Sequence, residues 1–208
     1  ELTEGVVDAL TEVAGQIGIS LRELLQQTVF FSHGTTVGTN ALITKRGGKV
    51  GLIVTKGFED TPFIQRAVGR LAGLSEMEIK NQVSLRQPKF LIPKKLVKGV
   101  TERIDCFGSV IVPLDEDEAK AAVMTLITAG VEAIAVCLLW SFANPAHEQI
   151  IKGFIEEKYP EIMITTSSDL IPKIRENARL NSTVINCYVG SSVNKYLAEL
   201  KTRLGSLG

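Results

Sequence analysis

The stretch Val131–Trp140 constrains the fold more than any other, because it is the most apolar run in the sequence. Ten residues are too few to cross a membrane. An apolar run of this length, rich in valine and isoleucine, instead predicts a buried strand. Similar apolar runs at Thr28–Ser32, Lys49–Thr55 and Ile162–Ser167 predict three further strands. The chain therefore has the strands of one buried sheet.

Segments with helical spacing of apolar residues separate these strands. They lie at 2–17, 37–45, 115–129 and 145–158, and residues 174–204 predict two further helices that are broken near Gly190. Strands that alternate with helices of about a dozen residues are typical of an α/β fold with a mostly parallel sheet. The first strand, the helix after it and the strand at 49–55 predict a parallel pair with a right-handed crossover.

Residues 57–112 depart from this alternation. The segment 57–93 is irregular, with one short helix predicted near Glu76–Asn81, and 96–112 predicts a small β-hairpin insertion. We interpret 1–208 as one domain in which 57–112 forms an irregular subregion with a hairpin.

Composition excludes several classes of protein. Lys plus Arg and Asp plus Glu number 23 each, so no net charge draws the chain to nucleic acid or to an anionic membrane. Cys106, Cys137 and Cys187 lack the spacing of zinc ligands or of a disulfide framework. They predict buried or half-buried thiols in a reducing cytoplasm, and no metal site.

The segment from His33 to Asn40 is the first candidate site. It follows a predicted strand and precedes a helix, where backbone N–H groups and the helix dipole favour anions. Its hydroxyls, imidazole and amide fit a polar ligand. They fit equally well a helix cap, with Thr35 or Thr36 as the capping residue. The segment matches neither the P-loop motif nor the dinucleotide-binding motif.

Three other stretches carry polar groups. Arg66 and Arg70 fit a phosphate or a carboxylate, although spacing alone favours pairing with nearby acidic residues. His147 and Glu148 diverge by about 100° on a helix, which favours a structural role, with Glu148 complementing the helix dipole. If 174–189 is helical, Arg175 and Arg179 share one face, which faces either a cleft or water.

Five stretches of the chain resemble the hydantoinase A/oxoprolinase family. They are HGTTVGTNALI at 33–43, VTKGFED at 54–60, VTERID at 100–105, GVEAIAVCLLWSFANPAHE at 130–148 and IRENARLNSTVINCYV at 174–189. The resemblance covers nearly the whole chain. It implies part of an actin/hexokinase/Hsp70-like (ribonuclease H-like) ATPase lobe, in which nucleotide binds between lobes. Residues 64–93 and 99–116 are closer to the carboxylase-like branch of the family.

The resemblance also implies a function. We expect a portion of an ATP-dependent subunit that hydrolyses a cyclic amide such as hydantoin, 5-oxoproline or a lactam, with ATP and Mg²⁺ as cofactors and a B-type hydantoinase subunit as partner. Two alternatives are a subunit of an ATP-dependent ketone carboxylase of the acetone or acetophenone type, and a non-catalytic assembly lobe. Nucleotide binding distinguishes the assembly lobe from the two enzymes.

The same resemblance implies roles for particular residues. Catalytic roles fall to His33 and Arg66, nucleotide binding to Thr35, Thr36 and Asn40, and secondary roles to Arg175, Glu176 and Arg179. Family members begin with an Asp-Gly-Gly-Thr phosphate loop and continue into a second glycine-rich segment. We therefore expect the chain to be truncated at both ends and to lack a complete active site.

Overall fold

The computed structural model describes residues 2–64, 71, 73–81 and 90–208. Its elements are helices α1 (Leu2–Gln16), α2 (Leu21–Gln27) and α3 (Val37–Ile43), strand β1 (Val50–Thr55), helices α4 (Thr61–Ile64) and α5 (Glu76–Lys80), a 3₁₀ turn (Lys94–Leu96), strands β2 (Val97–Val100), β3 (Arg103–Ile104) and β4 (Val110–Val112), helix α6 (Glu116–Thr128), strand β5 (Ala133–Cys137), helix α7 (Ala146–Lys158), strand β6 (Met163–Thr166), and helices α8 (Ser167–Leu170) and α9 (Glu176–Leu207).

The chain divides into two compact units. Unit 1 comprises Glu1–Gly47 with Val189–Gly208, and unit 2 comprises Gly48–Tyr188. Helix α9 contributes residues to both.

Unit 2 is built on a parallel four-stranded sheet in the order β2-β1-β5-β6. All residues of β1 and β5 are buried, as expected for the central strands of a sheet covered on both faces. The parallel arrangement brings the carboxyl ends of β1, β5 and β6 to the same edge of the sheet. The α/β class with a mostly parallel sheet is therefore confirmed.

Helices α6 and α7 of unit 2 begin and end as their sequences predict. Asp115 caps α6 by accepting a hydrogen bond from the N–H of Glu118, and Gly130 follows the helix with a φ of 74°. Leu126 of α6 and Ile151 and Ile155 of α7 are buried, so both helices contribute to the core.

The prediction of a strand at Thr28–Ser32 is wrong. This segment has no assigned secondary structure, and the side chains of Val29 and Phe30 are 101% and 82% exposed. Three consecutive apolar residues satisfy the pattern of a buried strand, but a strand also needs a neighbour to pair its backbone groups. The described part of unit 1 contains no strand that could be that neighbour. The predicted crossover from this strand to β1 is absent for the same reason.

Two other details also differ from prediction. The hairpin is shorter than 96–112: only β3 and β4 pair antiparallel, whereas β2 joins the parallel sheet beside β1. Helix α9 continues through Gly190 instead of breaking there. A glycine costs a helix about 1 kcal/mol, which the packing of Tyr188 and Leu200 on either side offsets.

Unit 1 is helical in its described part. Ser20 and Glu23 form a reciprocal capping box at the start of α2, as the sequence predicts for Ser20. The hydroxyl of Thr3 donates to Glu199 at 3.1 Å, which links α1 to the end of α9. Among the helices of the described residues, none is both long enough and apolar enough to span a bilayer.

Candidate functional site

A buried carboxylate holds together the carboxyl edge of the sheet in unit 2. Glu148, in the first turn of α7, is fully buried. It accepts hydrogen bonds from the N–H of Leu138 at 2.8 Å, the N–H of Ser168 at 2.8 Å and the hydroxyl of Ser167 at 2.7 Å. These groups follow β5 and β6. Glu148 therefore has the structural role that the sequence predicts. Its carboxylate lies in the first turn of its own helix and also binds the segments that follow β5 and β6.

Arg179 of α9 crosses the same edge. Its side chain is buried, and its guanidinium donates to the Ser167 hydroxyl at 3.0 Å, the Leu138 carbonyl at 2.6 Å and the Lys173 carbonyl at 3.2 Å. The guanidinium carbon also lies 5.2 Å from the ring centroid of Phe142. Three of its five N–H donors are thus used inside the protein. Arg179 therefore acts mainly in positioning the loops that follow β5 and β6.

A second buried pair lies at the end of β1. His147 Nδ1 is 2.8 Å from Glu102 Oε2, and the other oxygen of Glu102 accepts a hydrogen bond from the Thr55 hydroxyl. That hydroxyl in turn accepts one from the N–H of Leu139. All three side chains are buried. The chain of bonds joins β1 to the segment after β5, so His147 is also structural, as its position predicts.

A cavity of about 300 Å³ opens beside this edge in unit 2, and we refer to it as the Trp140 cavity. Its lining combines two aromatic rings, two aliphatic side chains, two arginines and a carboxylate: Leu139, Trp140, Phe142, Ile174, Arg175, Glu176 and Arg179. The aromatic ring centroids lie 5.4 Å apart. Trp140 and Arg175 have φ values of 55° and 90°, which are unfavourable for residues with a Cβ and often occur at functional sites.

Glu176 is the half-buried acid of this cavity. Burial raises the pKa of its carboxyl, and the nearby guanidinium groups of Arg179 and Arg103 oppose that shift. Within the described ranges, no hydrogen-bond donor engages this carboxylate and no acceptor engages the Arg175 guanidinium. The structure thus brings together all three residues of the predicted secondary set.

The condition for a helical face shared by Arg175 and Arg179 is not met. Helix α9 begins at Glu176, and the positive φ of Arg175 places that residue outside the helix. Arg179 is buried, whereas Arg175 is exposed. The two arginines meet at one cavity through the turn before the helix and not through helical spacing.

Unit 1 contains a larger cavity of about 650 Å³, which we call the His33 cavity. Val6, Ala9 and Leu10 of α1 give it an apolar wall, and residues 31–36 with Tyr196 supply its polar groups. His33 Nε2 lies 2.6 Å from the Tyr196 hydroxyl. His33 is exposed and, contrary to prediction, does not follow a strand.

The other candidates of this segment lie close to His33 in sequence. The hydroxyl of Thr35 accepts a hydrogen bond from the N–H of Val37, and that of Thr36 accepts one from the amide of Asn40, each at 3.3 Å. Thr35 and Thr36 line the His33 cavity, whereas Asn40 reaches it only through Thr36. Thr36 is the N-cap residue of α3, but its side chain makes no capping hydrogen bond, whereas Thr35 accepts from the first N–H of the helix. Capping is therefore limited to Thr35, and ligand binding stays a prediction. Arg66 lies outside the described residues.

The cysteine thiols show no sign of activation. Burial raises the pKa of Cys137 to about 12 and that of Cys187 to about 11, so both thiols stay protonated near neutral pH. Cys106 is exposed, which differs from the predicted burial because it lies in the tight turn of the β3–β4 hairpin.

The sequence predicts no site role for three residues that line the two cavities, which are Trp140, Phe142 and Tyr196. It also predicts none for Thr55 and Glu102 of the buried network, although both lie in stretches that resemble the family. Trp140 and Glu102 follow strands of the parallel sheet. This position is the one sequence signal that indicates a site for them, because ligands bind at the carboxyl edge of such sheets.

The parallel sheet and its polar carboxyl edge define an α/β lobe of the ATPase-like type. The chain belongs to the hydantoinase/oxoprolinase family, because the model of that family's N-terminal region matches residues 1–159. The family predicted from the sequence is thereby confirmed.

Two curated relatives illustrate the range of the family. The acetophenone carboxylase gamma subunit of Aromatoleum aromaticum is 33% identical over 213 residues, which cover 100% of this chain and 29% of the relative. The caprolactamase subunit alpha of Pseudomonas jessenii is 30% identical over an alignment that covers 99% of this chain and 29% of the relative. The chain therefore spans less than a third of the length of these relatives.

Solved structures agree with this assignment. A nucleotide-free structure of acetone carboxylase, described as part of the mechanism of ATP-dependent acetone carboxylation, matches 99% of this chain and 30% of its own with a TM-score of 0.86 at 30% identity. The ATP-dependent caprolactamase from Pseudomonas jessenii matches 97% of this chain and 28% of its own with a TM-score of 0.81 at 31% identity.

Proposed function

We propose that this chain is a portion of a longer ATP-dependent subunit that activates the carbonyl group of a cyclic amide by phosphoryl transfer. The observation that carries the proposal is the similarity of nearly the whole chain to two solved enzymes whose names both state ATP dependence. One of these enzymes is a caprolactamase, so its name states a cyclic amide.

The His33 cavity fits part of ATP. Its apolar wall suits a base or sugar, and the hydroxyls of Ser32, Thr35 and Thr36 can donate to phosphate oxygens. It does not fit Mg²⁺, because no carboxylate is among its described lining residues and magnesium prefers carboxylate and phosphate oxygens. We therefore assign no step to a magnesium ion in this chain.

The proposed reaction has two stages. The carbonyl oxygen of the amide attacks the terminal phosphorus of ATP, its bond to phosphorus forms, and ADP leaves. A first water adds to the activated carbon, and the C–N bond breaks as the nitrogen takes a proton and leaves as an amine, which gives an acyl phosphate. A second water then attacks the same carbon, and phosphate departs with the former carbonyl oxygen to leave an amino acid. Charge develops on the transferred phosphoryl group and its bridging oxygen, so positioned donors and cations lower the barrier.

The residues of this chain are assigned to that reaction as follows. We assign His33 and Arg66 to the transferred phosphoryl group, with Arg66 as a clamp that stabilises negative charge. Thr35 and Thr36 hold phosphate oxygens, and Asn40 orients the Thr36 hydroxyl to which it donates.

A ketone carboxylase is the second candidate function. The 33% identity to an acetophenone carboxylase subunit over the whole chain favours it. In that case the phosphoryl group passes to the enol oxygen of a ketone, the enol carbon then forms a C–C bond to the carbon of bicarbonate, and phosphate leaves. Since the relatives are named as alpha, beta and gamma subunits, a partner subunit of the B type is part of either proposal.

Substrate-dependent ADP release tests the proposal and separates the two functions. We expect the longer gene product that contains this chain, prepared with its partner subunit, to release ADP at least fivefold faster with 2-pyrrolidinone, ε-caprolactam, hydantoin or 5-oxoproline than without substrate. Bicarbonate should have no effect. Stimulation only by acetone or acetophenone together with bicarbonate would establish the carboxylase instead, and no stimulation by either class would leave an assembly lobe.

A further inference from the structure

The Trp140 cavity has features of a binding site in its own right. Two aromatic rings line it together with an exposed guanidinium and a half-buried carboxylate. About 300 Å³ is at the lower limit of small-molecule pockets and holds a single ring more readily than a nucleotide. The cavity lies wholly within unit 2, and each of its walls belongs to described residues.

The charges of the cavity complement a ligand with two polar groups. The Glu176 carboxylate accepts hydrogen bonds, and the Arg175 guanidinium only donates them. Glu176 is half-buried and no described donor engages its carboxylate, so a ligand that displaces water from the cavity must supply a donor in its place. The cavity therefore suits a neutral molecule that presents a donor and an acceptor on the same edge.

We propose that the Trp140 cavity binds the cis amide group of a small lactam ring. The ring lies against Trp140 and Phe142, its N–H donates to the Glu176 carboxylate, and its carbonyl oxygen accepts from Arg175. This inference rests on the proposed function, because it places the carbonyl substrate of that reaction.

The same chemistry discriminates against other carbonyl compounds. A ring ketone and an N-methyl lactam both lack the N–H, so each leaves the carboxylate unpaired when it fills the cavity. A carboxylic acid would bring a second negative charge towards Glu176. The cavity thus favours a secondary cyclic amide over the ketone of the alternative function.

Arg179 is a positioning residue in this site. Its bonds to Ser167 and to the carbonyls of Leu138 and Lys173 hold the loops on which Trp140 and Arg175 lie. Its charge also lies close enough to Glu176 to favour the ionised carboxylate.

Fluorescence of Trp140 reports directly on this cavity, since it is the only tryptophan in the chain. We would titrate the 208-residue chain at pH 8 with 2-pyrrolidinone, N-methyl-2-pyrrolidinone and cyclopentanone. We expect a saturable change with 2-pyrrolidinone and at least fivefold weaker binding of the other two. A change that is linear in concentration, or equal binding of all three compounds, would overturn the proposal.

Two variants test whether Glu176 makes the proposed contact with the lactam N–H. Glu176→Gln should weaken 2-pyrrolidinone binding at least fivefold, whereas Glu116→Gln should leave it unchanged, since Glu116 is likewise the first residue of a helix but is exposed and paired with Lys120. Undiminished binding to a folded Glu176→Gln variant would contradict the proposed contact. If this variant does not fold, the comparison of the three compounds on the unmodified chain still decides.

The binding experiment on the Trp140 cavity and the ADP-release experiment on the proposed function can fail independently of each other. Lactam-dependent ADP release by the longer product without saturable binding here would overturn only the location of the substrate. Saturable, N–H-dependent binding without lactam-dependent ADP release would retain the cavity as a lactam site and overturn the proposed reaction.

Discussion

Replacing Glu148 with alanine is expected to lower the free energy of unfolding by about 2–6 kcal/mol. The substitution leaves the N–H groups of Leu138 and Ser168 without their acceptor, and each orphaned buried donor costs about 1–3 kcal/mol. It also removes the acceptor of the Ser167 hydroxyl, which in turn positions Arg179. A loss of this size is a large part of the stability of a typical domain.

Urea denaturation followed by circular dichroism measures this effect. Glu157→Ala is the matched control, because it makes the same change on the same helix at a side chain that is 70% exposed. We expect the control to change stability by less than about 0.5 kcal/mol. Equal effects of the two variants would show that the hydrogen bonds of the Glu148 carboxylate contribute no more to stability than an exposed carboxylate does.

Replacing His33 with alanine is expected to reduce turnover of the longer enzyme at least tenfold, which corresponds to about 1.4 kcal/mol of barrier. The reason is its proposed contact with the transferred phosphoryl group. Stability should change little, because His33 is exposed and its hydrogen bond to Tyr196 is worth at most about 0.5–1.5 kcal/mol.

Tyr196→Phe separates the two roles of His33. This variant removes the same hydrogen bond but keeps the imidazole, so it should cost stability comparably and turnover much less than His33→Ala. Turnover per folded molecule and melting temperature should be measured on both variants. If His33→Ala lowers only the melting temperature, His33 is a structural residue of the segment before α3 and the assignment of a catalytic role is wrong.

The elements that could be predicted from sequence are those whose signals are local. Asp115 and Gly130 mark the ends of α6, and the apolar runs of β1 and β5 require burial on both faces. Thr28–Ser32 has the same kind of apolar signal without a pairing neighbour among the described strands. Apolarity measures a tendency to be buried, whereas a strand depends on a partner elsewhere in the chain.

The candidate site could be predicted only in part. The resemblance selected Arg175, Glu176 and Arg179, and all three line one cavity. Their different roles depend on tertiary structure: Arg179 is buried by loops from β5 and β6, while a positive φ turns Arg175 out of the helix. Trp140 joins them through a turn about 35 residues earlier, and such a long-range contact has no signature in local periodicity.

The fate of the amide oxygen tests the central claim most directly. The longer enzyme would be supplied with ATP and a lactam whose carbonyl carries ¹⁸O, and the inorganic phosphate would be analysed by mass spectrometry. Phosphoryl transfer to the carbonyl predicts phosphate that carries one ¹⁸O from the lactam, while both oxygens of the new carboxylate come from water. Retention of all the ¹⁸O in the ring-opened product, with unlabelled phosphate, would contradict activation of the carbonyl by ATP.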